Sequence, residues 1–310
     1  GGGGGWFRKV EVLKRCGIMV REVVVEASAE YGQVHKEIAM LNADDSVDGI
    51  ILERPLPFGL NCDALGLCIN PSKDVDGESA ESLSGARGSS GISLFDNIWN
   101  TQPATGSKLS ETVPPPWLSH TCVVKPCFVQ CTLDRIDALN MPPGSTCVVI
   151  GRSRKLGLPL FLALVERDFT VTVCHSYTPE RELAEACLTA DVIVCAAGKP
   201  YLLTKDMVKR GAIVINLGTT LSVTSVPATL QPDTSPDVTE KARVMTPTPG
   251  GMGPTCVAML CLQTVALAET RERVRAGKIR HCKAADEMKV SSHLQEHMDR
   301  LNRRGWVIVP

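Results

Sequence analysis

The run from Thr146 to Gly157, Thr-Cys-Val-Val-Ile-Gly-Arg-Ser-Arg-Lys-Leu-Gly, limits the possible folds of this chain more than any other stretch. A short apolar strand leads into a tight turn at Gly151, and a second glycine, Gly157, opens a helix. That order of parts predicts a phosphate cradle, because a helix start directs N–H groups and the positive end of its dipole at an anion. Arg152, Arg154 and Lys155 add positive charge where phosphates would lie. The glycine spacing departs from the dinucleotide pattern G-x-G-x-x-G, so the run alone defines a cradle and not a particular ligand.

Strand-like and helical stretches alternate beyond this point. Strands are expected at 147–150, 170–174, 191–196, 212–217 and 243–245, with helices between most of them. This is the pattern of a doubly wound sheet, which binds ligands beyond the carboxyl ends of its strands. Gly151, Arg152, Ser153, Ser176, Gly198, Gly218 and Thr219 fall at those ends and are the candidate cofactor-binding residues. NAD-binding sheets place a carboxylate after the second strand to hold the ribose hydroxyls. Here that position reads His175-Ser176-Tyr177. A hydroxyl with a nearby arginine suits a 2′-phosphate, which a carboxylate would repel. Arg152 and Ser176 therefore point to NADP as the cofactor.

The first 80 residues alternate as well. A basic helix is expected from Trp6 to Cys16, a strand over Met19–Glu26, a helix over Tyr31–Leu41, a strand at 48–52 and a helix over Cys62–Ile69. Residues 84–120 are rich in Gly, Ser, Pro and Thr and read as an irregular loop. The expected fold class is α/β, a two-domain chain in which a Rossmann-like NADP domain (126–250) and a second α/β domain (1–125, completed by helix 254–270) flank a cleft. Residues 271–310 form a polar extension.

With 310 residues the chain has room for two cores, and a formal net charge of -1 argues against a general nucleic-acid or membrane partner. No apolar run reaches the roughly 18 residues that span a bilayer. Thirteen cysteines occur without a C-x-x-C pair, several of them inside apolar strands. They read as reduced core thiols of an intracellular protein, cytoplasmic or mitochondrial. His293-Leu-Gln-Glu-His297 matches a zinc pattern, but it sits in a polar helical stretch with no third ligand in view, and no metal is expected. The basic run Arg271–Arg280 reads as a solvated face.

Several further motifs stand in a shared order: Gly49-Ile-Ile-Leu-Glu-Arg-Pro-Leu-Pro57, Lys73-Asp-Val-Asp-Gly77, Val149-Ile-Gly-Arg-Ser153, Gly198-Lys-Pro200, Gly211-Ala-Ile-Val-Ile-Asn216, and Thr246-Pro-Thr-Pro-Gly-Gly-Met-Gly-Pro-Thr255. With them the chain resembles the bifunctional methylenetetrahydrofolate dehydrogenase/cyclohydrolase family, over about residues 6 to 268. The resemblance implies NADP-dependent oxidation of 5,10-methylenetetrahydrofolate and hydrolysis of the methenyl product to 10-formyltetrahydrofolate. It implies a tetrahydrofolate substrate and a homodimer. It places the family's catalytic lysine at Lys9, its pterin-holding aspartate at Asp76, and its folate-lining loop at Pro249 and Gly250.

Two departures bear on the chemistry. The family's tyrosine, four residues before the lysine, falls on Gly5. Its glutamine beside the lysine is Glu53, followed by Arg54. A carboxylate there is expected to pair with Lys9 and favour its charged form, against proton abstraction. Hydrolysis is thus expected to be impaired and hydride transfer less so. The alternative is a decayed member that binds nucleotide without catalysis.

Overall fold

The computed structural model describes residues 3–54, 56–57, 59–79, 125–222, 229–276 and 307–308. The helices are α1 (Gly3–Arg15), α2 (Tyr31–Ala43), α3 (Cys62–Gly66), α4 (Cys127–Asp137), α5 (Gly157–Val165), α6 (Glu180–Thr189) and α7 (Met252–Arg275). The strands are β1 (Thr146–Ile150), β2 (Thr170–Cys174), β3 (Val192–Cys195), β4 (Ile213–Asn216), β5 (Thr219–Ser222), β6 (Thr229–Pro232), β7 (Val244–Met245) and β8 (Val307–Ile308). Two compact units result: Gly1–Pro126 with Leu260–Ser291, and Cys127–Met259 with Ser292–Pro310.

In the second unit a six-stranded sheet runs in the order β2-β1-β3-β4-β7-β8. All its pairings are parallel except β7 with β8. Strands covered on both faces need unbroken apolar runs. Val192–Cys195 and the 213–215 part of β4 satisfy this, and both strands are buried throughout, while the edge strand Thr170–Cys174 alternates and is half exposed. The core joins Val148, Ile150, Ile193, Cys195 and Val214 to Leu183 and Cys187 of α6. Cys187 and Cys195 lie inside it, Cys147 is buried as well, and burial pushes all three thiols up from the ordinary value. They are packing groups, as expected from their apolar settings. β5 and β6 form a separate antiparallel ribbon.

In the first unit α1 presents Val10 and Leu13 to the core and ends in a glycine stop. Gly17 has φ +82, and the N–H of Ile18 donates to Leu13 O, which closes the last turn. α2 buries Val34 and Ile38 beside Ile50, Leu65 and Ile69. Its carboxyl end is capped by Lys73, whose Nζ donates to Leu41 O, Asn42 O and Asp44 O at 2.7–2.9 Å. Burial, with Arg271 nearby, holds the Lys73 ammonium below its usual range. Three carbonyls at a helix terminus compensate the buried charge.

Three expectations need correction here. Met19–Glu26 forms no strand among the described residues, and Met19 and Val24 are exposed. β-propensity expresses fit to a neighbouring strand, and neither described sheet includes this segment. Residues 48–52 shrink to one bridge, Ile50 with Asp74. The basic run from Arg271 is not a solvated face at its start. Arg271 pairs with Asp48 at 3.0 Å and also donates to Val47 O, and Arg275 pairs with Asp45 at 3.0 Å. The readings of residues 84–120 and of His293–His297 lie outside the described residues.

Candidate active site

The strand order reverses at β1, which has β2 on one side and β3 on the other. The crevice at the carboxyl ends of β1 and β3 is thus the switch point where such sheets take a nucleotide. Two glycines bring the backbone together there. Gly151 has φ +134, and a methyl on it would stand 2.4 Å from Ala196 O. A methyl on Gly157 would stand 2.1 Å from Gly151 O, so the start of α5 rests directly on the turn. Ser153 shapes the entry to that helix, its Oγ accepting from Gly157 N at 3.4 Å and its carbonyl from Leu158 N at 3.1 Å. Among the described residues the N–H groups of Arg152 and Ser153 have no acceptor. A backbone cradle that a methyl would fill, with a cation on it, fits a dinucleotide pyrophosphate.

Parallel pairing sets Ile150 opposite Cys174. Arg152 and Ser176 therefore leave adjacent strand ends two residues further on, and both are exposed. No carboxylate occurs between Cys174 and Thr178. The Arg152 guanidinium lies 5.4 Å from the centre of the Tyr177 ring.

Sequence reasoning missed a buried polar network at the ends of β3 and β4. Asp233 is fully buried, and its Oδ2 accepts from Ala197 N at 2.8 Å and Gly198 N at 2.9 Å. Burial raises its pKa, against the lowering effect of the Ala197, Gly198 and Lys199 N–H groups. Gly218 packs on this carboxylate, since a methyl there would stand 1.9 Å from Oδ2. Asn216 joins the network, its Nδ2 donating to Gly218 O and Thr248 Oγ1 while its Oδ1 accepts from Asp233 N. The Gly198 amide is thus held by Asp233. Thr219 begins the β5 ribbon and is exposed. An aspartate in Pro232-Asp-Thr-Ser-Pro236 looks like a turn former in sequence, and only the fold carries it 35 residues back to Gly198. Asp233→Ala leaves those amides unpaired and is expected to cost about 1–3 kcal/mol, read as a lower urea midpoint, with a raised KM for nucleotide. An unchanged midpoint would show that the network contributes little.

Pro249 and Gly250 belong to this same unit. Both are exposed, Gly250 has φ +101, and the Thr248–Pro249 bond is cis.

The remaining site residues are in the first unit. Lys9, on α1 one turn before Leu13, donates to Glu53 Oε1 at 2.6 Å and Oε2 at 2.9 Å. This is the pairing expected from the Glu53 departure. Both side chains are about one-third exposed, at 29% and 35%. Arg54 turns the other way, to Asp63 at 3.1 Å and to the nearly buried Glu78 at 3.3 Å. In the Lys73–Gly77 motif, Asp74 accepts from Glu78 N and Ser79 N at 2.9 and 2.7 Å. Gly77 has φ +69, and a methyl on it would stand 2.4 Å from Pro126 N. Lys73, Asp74 and Gly77 thus build the turn that carries Asp76, which is 9% exposed.

A parallel sheet with a glycine cradle at its switch point and an arginine at the adjacent strand end defines a nicotinamide-nucleotide-binding α/β enzyme. The tetrahydrofolate dehydrogenase/cyclohydrolase catalytic domain matches residues 7–76, and the NAD(P)-binding domain of the same family matches residues 126–272. The bifunctional protein FolD of Desulfovibrio desulfuricans is 38% identical over 237 residues, covering 74% of this chain and 69% of that protein. FolD of Caldicellulosiruptor saccharolyticus is 34% identical over 258 residues, covering 83% and 81%. Among solved structures, the Trypanosoma brucei methylenetetrahydrofolate dehydrogenase-cyclohydrolase, complexed with NADP cofactor and inhibitor, has a TM-score of 0.70 at 27% identity, covering 87% of this chain and 82% of that one. The Bombyx mori 5,10-methylenetetrahydrofolate dehydrogenase has a TM-score of 0.69 at 28% identity, covering 87% and 84%. The chain belongs to the tetrahydrofolate dehydrogenase/cyclohydrolase family.

Proposed function

We propose that the protein oxidises 5,10-methylenetetrahydrofolate to the methenyl form with NADP+, and hydrolyses that product to 10-formyltetrahydrofolate more slowly than its relatives do. The observation that carries this reading is the set Gly151, Arg152 and Ser176 at two paired strand ends with no carboxylate beside them. NADP+ supplies, when bound, the acceptor for the hydride that leaves the methylene carbon. Gly151 and Gly157 admit its pyrophosphate to the backbone, and Arg152 with Ser176 holds the 2′-phosphate through charge-assisted hydrogen bonds. Asp76 accepts from the donor edge of the pterin.

Hydrolysis requires a group that takes a proton as water attacks the methenyl carbon. Lys9 has that role, but both oxygens of Glu53 already accept from its ammonium. That engagement opposes proton transfer from water. Hydride transfer needs no such base and is spared. A homodimer is the assembly this reading carries, and sedimentation velocity measures it.

A spectrophotometric assay with methylenetetrahydrofolate and either NADP+ or NAD+ tests the reading. Wild type is expected to prefer NADP+. Arg152→Ala is expected to raise the KM for NADP+ roughly tenfold to a hundredfold, the loss of one or two charge-assisted bonds, with the KM for NAD+ little changed. Equal weakening for both nucleotides would remove Arg152 from phosphate recognition. No turnover with either would leave the decayed-member reading in its place.

A further inference from the structure

We infer that Tyr177 is a specificity-determining residue that acts through Arg152: its ring is a platform that holds the guanidinium ready for a nucleotide 2′-phosphate. The inference rests on the assignment of Arg152 to that phosphate.

Tyr177 is 81% exposed, so core packing does not account for an aromatic ring at this position. Its turn holds it in place. His175 N donates to Thr178 Oγ1 at 2.9 Å, and Tyr177 N donates to His175 Nδ1 at 3.2 Å. The imidazole acts as a local brace by accepting that bond at Nδ1. The imidazole also meets the Tyr177 ring edge-on, at 6.4 Å and 74°. One face of the tyrosine is then covered by Arg152, whose Cζ lies 5.4 Å from the ring centre.

An exposed arginine otherwise samples many rotamers and loses that freedom when it binds. Stacking on an aromatic face is attractive by itself and leaves the edge N–H donors of the planar guanidinium free for phosphate oxygens. Restricting the free state lowers the ordering cost of binding. The benefit falls on the phosphate that Arg152 contacts, so it separates NADP+ from NAD+ without any contact between Tyr177 and the ligand. The phenol hydroxyl has no part in this, whereas an adenine-stacking role for the same ring would serve both nucleotides alike.

Binding of NADP+, NAD+ and 2′,5′-ADP is measured by calorimetry for wild type, Tyr177→Phe, Tyr177→Ala, Arg152→Ala and the double variant Arg152→Ala/Tyr177→Ala. Tyr177→Phe is expected to match wild type. Tyr177→Ala is expected to weaken NADP+ and 2′,5′-ADP about two- to fivefold, the scale of an exposed cation–π contact, with NAD+ unchanged. In the Arg152→Ala background the Tyr177→Ala change is expected to have no further effect. In assays the loss appears in the KM for NADP+ and not in kcat. Equal weakening of NAD+ and NADP+ by Tyr177→Ala, or an additive double variant, would overturn the inference and leave Arg152 as the phosphate ligand. Failure of wild type to bind 2′,5′-ADP would overturn the phosphate assignment and the inference with it.

Discussion

Gly151→Ala is expected to abolish measurable NADP+-dependent turnover and to destabilise the nucleotide-binding unit by about 2–6 kcal/mol, the sum of backbone strain and overpacking. Two costs act together at this position. The backbone sits at φ +134, which L side chains rarely adopt, and the added methyl would meet Ala196 O at 2.4 Å and Ala196 C at 2.9 Å. Neither atom belongs to a flexible side chain. Ala196 N donates to Ile150 O at 2.8 Å, so relief requires parting β1 from the end of β3, the crevice that receives the nucleotide. Gly198→Ala is the matched control. Gly198 has φ +65 and nothing within 4 Å of the added methyl, so only the left-handed penalty of about 1–2 kcal/mol applies. Urea denaturation and NADPH fluorescence titration of the two variants separate the effects. Equal behaviour of the pair would mean that close backbone approach at Gly151 is not what admits the nucleotide.

Glu53→Gln is expected to raise methenyltetrahydrofolate hydrolysis on the order of tenfold or more while changing NADP+-linked oxidation little. The glutamine amide keeps one acceptor oxygen near Lys9 and replaces the other with a donor, so the ammonium loses one of its two short bonds and the neighbouring charge. The pair is partly exposed, and such pairs contribute about 0–1 kcal/mol, so folding is not expected to suffer. That makes the substitution a test of chemistry and not of stability. Decay of methenyltetrahydrofolate absorbance measures hydrolysis directly, and nucleotide reduction measures the first step. If hydrolysis stays at the wild-type rate, the restraint on Lys9 is not the Glu53 carboxylate. Gly5, where the family has a tyrosine, then becomes the departure to examine.

The nucleotide-binding half was open to reading because its information is local. Cys147–Ile150, Val192–Cys195 and the stretch 213–215 are short apolar runs, and the parallel sheet appears where they predict it. The first half was harder. Met19–Glu26 has strand composition but belongs to neither described sheet, and strand propensity acts only through such neighbours. Lys73, read as part of a motif, is a helix cap for α2. Arg271, read as a surface charge, reaches Val47 and Asp48 more than two hundred residues away in the chain. Long polar side chains carry no sign in sequence of which distant carbonyl or carboxylate they meet.

Residue identity alone determined that Gly151 and Gly157 could form a cradle, that no acid follows β2, and that Glu53 stands where a glutamine was expected. Each is a statement about one residue and its nearest chain neighbours. Tertiary structure decided that Glu53 closes on Lys9, that Asp233 holds the Ala197 and Gly198 amides, and that Arg152 rests on Tyr177. These depend on which strand ends and loops the parallel sheet and the helix packing bring within hydrogen-bond reach. A buried donor or acceptor takes whichever partner the fold delivers to it, because leaving it unpaired costs more than the bond contributes.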